Sequence, residues 1–208
     1  MNDSSKETTK TSLSGAGGLV IIDYGAGNIQ SIKFAFQRLG VEAILTNNPE
    51  EISNADKVIF PGVGEASSAM DKLWGSGLHD VITNLKQPVL GICLGMQLMC
   101  NSSEEGNTKG LGIFDTEVIK FENIVKVPQI GWNKIEQLKG ELFQGLNNDF
   151  IYLVHSFYAP KSEDTIATST YGVSYSAALQ KDNFYGVQFH PEKSGDYGQK
   201  ILENFLTL

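Results

Sequence analysis

Along the first hundred residues, apolar residues come in short unbroken runs, each giving way to a turn and then to apolar positions at helical spacing. Leu19-Val20-Ile21-Ile22 runs into Asp23-Tyr24-Gly25-Ala26-Gly27-Asn28, after which Ile29, Ile32, Phe36 and Leu39 recur at steps that share one helix face. The unit returns with Val41 to Leu45, with Lys57-Val58-Ile59-Phe60 before Pro61-Gly62-Val63-Gly64, and with Pro88-Val89-Leu90-Gly91 before a helical stretch from Leu94 to Cys100. Apolar strands alternating with helices predict a mostly parallel sheet with helices on both faces. From Gly112 onward the runs become strand-like: Phe114 to Phe121, Asn133 to Leu138, Phe150 to Phe157, Thr165 to Tyr171 and Phe184 to Phe189. They predict an antiparallel extension. A closing helix from about Gly198 to Leu206 is expected to turn Ile201, Phe205 and Leu206 to the core.

Length and charge narrow the possibilities. A chain of 208 residues suits one core, expected over residues 19–208. Residues 1–18 are rich in Ser, Thr, Lys and Gly and lack the apolar stretch of a secretory signal, so they read as a disordered tail. A formal charge of -8 opposes broad contact with phosphate backbones or anionic lipid, which excludes nucleic acid as the natural partner. No run approaches the roughly 18 apolar residues of a membrane span. The two cysteines, Cys93 and Cys100, would lie about 10 Å apart on one helix, too far for a disulfide. His79, His155 and His190 are scattered, and neither C-x-x-C nor H-E-x-x-H occurs, so no metal or cofactor motif is read. Unpaired thiols suit a reducing cytoplasm.

Two segments carry chemistry. Gly91-Ile92-Cys93-Leu94-Gly95 has the form G-x-C-x-G at a strand-to-helix junction, the thiol counterpart of the G-x-S-x-G nucleophile elbow. Its glycines permit a sharp turn, and a helix starting after Cys93 aims its amide dipoles at the sulfur. Gly186-Val187-Gln188-Phe189-His190-Pro191-Glu192 supplies a base and an acid. On an extended segment His190 and Glu192 would point to one side, where the carboxylate can orient the imidazole. Pro61-Gly62-Val63-Gly64 offers a peptide N–H, at Gly62 or Val63, that could reach over the elbow as an oxyanion donor beside that of Leu94. Gly25-Ala26-Gly27 is not a dinucleotide loop, since the third glycine would fall on Gln30.

With these residues the chain resembles the class I glutamine amidotransferases, whose triad is Cys, His and Glu in that order. Asp23-Tyr24-Gly25-Ala26-Gly27-Asn28, Pro61-Gly62-Val63-Gly64 and Val127-Pro128-Gln129-Ile130-Gly131-Trp132-Asn133 are similar to one group within them, the glutaminase subunits of imidazole glycerol phosphate synthase. The resemblance runs from about Leu19 to the C-terminus and implies an α/β, flavodoxin-like fold. It implies that Cys93, His190 and Glu192 hydrolyse L-glutamine through a γ-glutamyl thioester. By the same resemblance Gln97, Glu105, His155, Ser156 and Phe157 contact substrate, with Glu104 competing for the place of Glu105. Asn28, Trp132, Asn133 and Lys193 would meet the partner, a (β/α)8-barrel cyclase subunit forming a heterodimer. Ammonia would pass to that subunit, which makes imidazole glycerol phosphate and an aminoimidazole carboxamide ribotide. Two departures, Gln129 where the family often has histidine and Glu65-Ala66 where it often has a small residue before Phe, leave open a glutaminase feeding a sugar amidotransferase. An esterase or thioesterase is the rival from another class, although its acid normally precedes the histidine in the chain. A catalytically dead scaffold fits poorly with an intact Cys93, His190 and Glu192.

Overall fold

The computed structural model describes residues 18–25, 27–122 and 124–208. The tail read over residues 1–18 lies, except for Gly18, outside the described residues. The first half alternates strand and helix: β1 (Leu19–Ile22), α1 (Ile29–Arg38), β2 (Ala43–Thr46), α2 (Pro49–Ser53), β3 (Lys57–Gly62), α3 (Ala66–Ser76), α4 (Leu78–Thr83), β4 (Val89–Cys93) and α5 (Leu94–Leu98). The second half is mostly strands: β5 (Cys100–Ser103), β6 (Thr108–Lys109), β7 (Phe114–Lys120), β8 (Gln129–Lys134), β9 (Phe150–His155), β10 (Phe157–Tyr158), β11 (Thr165–Tyr171), β12 (Val173–Lys181) and β13 (Phe184–Val187). Helix α6 (Gly195–Thr207) closes the chain.

The main sheet has the order β11-β12-β13-β4-β3-β1-β2. Its five strands from β13 to β2 are parallel, and β12 and β11 extend it as an antiparallel hairpin. Taken alone, the parallel strands follow the 2-1-3-4-5 order of flavodoxin-like sheets, in which ligands gather at the carboxyl ends of the strands. Strand alternation feeds two cores. Leu19, Ile21 and Ile59 pack with Ile32 and Phe36 of α1 and with Ile201, Leu202 and Phe205 of α6. Val20, Ile22, Val58 and Phe60 face the other way, toward Met70 and Leu73 of α3 and Leu98 of α5. Each such side chain, fully buried, stabilises the fold by about 1.5–3 kcal/mol relative to its exposed state. Among the described residues no helix is long and apolar enough to cross a membrane.

Several expected boundaries move. The helix expected from Leu94 to Cys100 ends at Leu98, because Leu111, Ile113, Phe114 and Gly112 bring their N–H groups to the carbonyls of Leu98, Met99 and Cys100 and draw the chain into β5. Cys100 is therefore a strand residue, and both cysteines are free and buried. The strand placed at Asn133 to Leu138 is β8, Gln129–Lys134, in antiparallel register with β9 from Gln129↔His155 to Lys134↔Phe150. Beyond it Ile135 bonds Asp149 and Glu136 bridges to Thr168. Pro61 and Gly62 belong to β3 itself, and β4 runs on to Cys93. On α6 the third core residue is Leu202, with Leu206 only half-buried.

Candidate active site

Cys93 is both the last residue of β4 and the residue preceding α5, and it has φ 54° and ψ -110°. A positive φ is costly for a side chain with a Cβ, and it persists here because both neighbours are locked into the sheet and the helix. The glycines explain how α5 lies so close. A Cβ at Gly95 would run into the Phe60 carbonyl of β3, and one at Gly91 into Met99 and the Met96 amide. Cys93 is consequently held at the carboxyl edge of the sheet, 7% exposed, with the Val154 carbonyl 3.8 Å and Gln188 Nε2 3.8 Å from its sulfur.

His190 follows β13, where its N–H donates to the Tyr152 carbonyl (2.9 Å) and its carbonyl accepts from Ser194 Oγ (2.7 Å). It meets Glu192 by a different route from the extended alternation expected of the sequence. Pro191–Lys193 forms a 3-10 turn, closed by the Lys193 N–H on the His190 carbonyl, and the turn folds the carboxylate back under the ring. Nδ1 donates to Glu192 Oε1 at 2.9 Å, with the two side chains 6% and 1% exposed. Burial disfavours the imidazolium, but hydrogen bonds and charge from Cys93 and Glu192 outweigh it and raise His190 to about 10. Glu192 Oε2 is buried without a partner among the described residues. Glu192 and His190 also border a small crevice with Asn28 and Gly62, which places Asn28 beside that pair.

In front of the sulfur opens a cleft of about 360 Å³. It brings together ten of the residues singled out from sequence: Val63, Cys93, Leu94, Gln97, Glu105, His155, Ser156, Phe157, His190 and Lys193. Gly62 stands across from Cys93 in the parallel register, so the Gly62–Val63 peptide leaves the sheet beside the sulfur. Between the two competing acids, Glu105 lines the cleft and accepts the Ala66 N–H (2.9 Å), whereas Glu104 is committed to the Lys120 N–H (2.7 Å). Burial raises the Glu105 carboxyl, opposed by the Ala66 N–H.

His155 has its ring occupied. Nδ1 donates to the Phe157 carbonyl at 2.8 Å, while Nε2 lies 3.0 Å from Gln129 Oε1 and 3.3 Å from the Tyr175 hydroxyl. Burial lowers it to about 4, outweighing the Phe157 carbonyl, so the ring is neutral with its proton on Nδ1; Nε2 then accepts, which requires the Gln129 carboxamide to turn its NH2 toward the ring, and the ring braces the Ser156–Phe157 wall. Gln188 and Tyr24 carried no assigned role in the sequence reading. Gln188 lies two residues before His190 and has an atom within reach of the sulfur; Tyr24 donates to the Pro61 carbonyl (2.7 Å) beside Gly62. Among the described residues no group of three or more His, Cys, Asp or Glu is placed to hold a metal.

The β8–β9 ribbon presents an apolar face beside the cleft. Ile130, Trp132 and Phe150 are 64, 57 and 54% exposed. Trp132 pairs with Tyr152, whose ring lies 5.9 Å from Lys193 Nζ. Asn133 points to the opposite face, donating to the Thr170 carbonyl at 2.8 Å, and so does not share a side with Trp132.

A family model described as glutamine amidotransferase class-I matches residues 20–208. The protein named imidazole glycerol phosphate synthase subunit HisH from Bacteroides fragilis is 56% identical over 194 residues, which cover 91% of this chain and 99% of that one. The protein of that name from Escherichia coli is 46% identical with the same coverage. Among solved structures, one described as glutamine amidotransferase has a TM-score of 0.73 at 18% identity, covering 91% of this chain and 98% of its own. PurLQS from Thermotoga maritima has a TM-score of 0.68 at 16% identity, covering 92% and 98%. At these identities the two structures establish a shared fold.

Proposed function

The chain belongs to the class-I glutamine amidotransferase family, and from that premise we propose how its residues carry out the work of the glutaminase subunit of imidazole glycerol phosphate synthase in histidine biosynthesis. The Cys93 thiolate attacks the carboxamide carbon of L-glutamine, and the N–H groups of Leu94 and the Gly62–Val63 turn hold the developing oxyanion. The C–N bond then breaks, with His190 giving its proton to the departing ammonia, and a γ-glutamyl thioester remains on Cys93. His190, neutral again, takes a proton from water, whose oxygen attacks the thioester and releases glutamate and the thiol. Glu192 holds the ring through Nδ1 and stabilises its cation without transferring a proton itself. Glu105, Ser156 and Phe157 line the place where the amino-acid end of the substrate would sit.

The observation that carries this reading is the buried 2.9 Å contact of His190 Nδ1 with Glu192, set beside a cysteine held at positive φ over an open cleft. Ammonium cannot act as a nucleophile, so ammonia must travel along a dry path to a second subunit. We assign the β8–β9 face and Lys193 to docking that subunit, a (β/α)8-barrel cyclase in a heterodimer in the cytoplasm. Exposed apolar residues on the strand pair whose Val154 and His155 line the cleft support that placement. In the test, Cys93→Ser abolishes glutamine-dependent turnover while the mutant complex still makes product from added ammonium salt. Glutamine hydrolysis surviving in pure Cys93→Ser would overturn the assignment.

A further inference from the structure

One buried residue of the site stands outside these roles. Gln188 is 0% exposed and immediately follows β13, where its backbone N–H is bound to the Ala177 carbonyl. Its side chain links two parts of the active site. Gln97 Nε2 lies 2.9 Å from the Phe157 carbonyl and 2.9 Å from Gln188 Oε1, and Gln188 Nε2 lies 3.8 Å from Cys93 Sγ.

The orientation of both carboxamides follows from the first of these contacts. A backbone carbonyl only accepts, so the Gln97 atom facing Phe157 must be its NH2 group. That NH2 spends its second proton on Gln188, so the Gln188 atom facing it must be the oxygen. The NH2 of Gln188 is then left facing the sulfur, and Gln97 Oε1, which has no hydrogen-bond partner among the described residues, is left as an acceptor on a residue that lines the cleft. Reversing either amide would set two acceptors or two donors against each other between two buried side chains, a costly arrangement.

We propose that Gln188 is a positioning residue with two separable effects: its oxygen locks Gln97 so that Gln97 Oε1 receives an N–H of the substrate, and its NH2 supports the Cys93 thiolate. The proposal rests on Cys93 being the nucleophile. The first effect bears on glutamine binding and the second on the reactivity of the sulfur, so substitutions separate them. Gln188→Met keeps approximate volume and removes both groups. Gln188→Glu keeps the acceptor for Gln97 and sets an oxygen in place of the N–H donor at the sulfur.

The test uses the full chain co-purified with its synthase partner. The pH dependence of iodoacetamide alkylation at Cys93 is followed by peptide mass spectrometry, and KM and kcat are measured for glutamine. Gln188→Met is expected to raise KM about tenfold, as expected for a lost substrate hydrogen bond, and to move the alkylation midpoint upward. Gln188→Glu is expected to move that midpoint up by about one pH unit or more, because a carboxylate beside a thiolate disfavours it, while leaving KM within about threefold of wild type. A purely structural role would lower the urea midpoint of both variants and leave the alkylation profile of the folded protein in place, and that result overturns the proposal. So does a Gln188→Glu variant whose KM rises as far as that of Gln188→Met. If Gln188→Met does not fold, the alkylation shift in Gln188→Glu decides alone. Were fully Cys93-alkylated wild type still a glutaminase, the nucleophile assignment would fall and this proposal with it; normal wild-type behaviour with unshifted variants removes this proposal only.

Discussion

His155 makes the stability of the fold depend on pH with a sign and size that can be worked out. Its ring is buried, donates to Phe157, and titrates at about 4 instead of the ordinary 6.5. A folded value below the unfolded one means that the unfolded chain takes up the proton first as pH falls. The stabilising term is therefore complete above about pH 6.5 and is lost as pH falls toward 4. Linkage gives a loss of about 2 kcal/mol by pH 5 relative to pH 7.5. His190 contributes with the opposite sign, since its folded value of about 10 lies above the unfolded one; its term is complete below 6.5 and fades toward 10. Comparing wild type with His155→Gln cancels His190 and the carboxylates, which are present in both. Urea unfolding at pH 7.5 and pH 5 should show the stability gap between the two proteins shrinking by about 2 kcal/mol at the lower pH. A gap unchanged to within about 0.5 kcal/mol, near the uncertainty of such differences, would mean that His155 titrates alike folded and unfolded, and the buried neutral ring would be wrong.

Other outcomes follow from the same geometry. Gly95→Ala should destabilise the protein by about 1–3 kcal/mol in urea unfolding and lower kcat, because its Cβ meets the Phe60 carbonyl and must lift α5 away from β3. His190→Ala should lose nearly as much glutaminase activity as loss of the cysteine, and Glu192→Gln clearly less, by steady-state assay; equal losses would contradict the orienting role of the carboxylate. Trp132→Ala should weaken partner association by about 2 kcal/mol in calorimetric titration, and Lys193→Ala should reduce the partner's stimulation of kcat; wild-type behaviour in both would move the docking face elsewhere.

The parallel half of the fold was legible because Leu19–Ile22 and Val58-Ile59-Phe60 are buried on both faces and so read as unbroken apolar runs. Strand β12 escaped notice for the opposite reason. Val173-Ser174-Tyr175-Ser176 alternates and Ala177-Ala178-Leu179 does not, so no single period runs through it, and the chain buries its middle because β11 and β13 flank it. Strand β8 was displaced because Ile130 and Trp132 face outward, so apolarity did not mark the buried side. At the site, the elbow was readable from two glycines around a cysteine, but the route by which Glu192 reaches His190 was not. His-Pro-Glu is compatible with a strand or a 3-10 turn, and contacts of the segment with Tyr152 and Ser194 accompany the turn. Gln188 was invisible as a functional group because its partners, Gln97 and Cys93, are 91 and 95 positions away.

The most direct measurement is acid quenching of the wild-type complex during turnover of isotopically labelled L-glutamine, followed by peptide mapping. A γ-glutamyl label, released by hydroxylamine, should appear on the peptide containing Cys93 and should be absent from that containing Cys100. Label on any other residue, or undiminished turnover after Cys93 has been fully alkylated, would contradict a mechanism through this thiol.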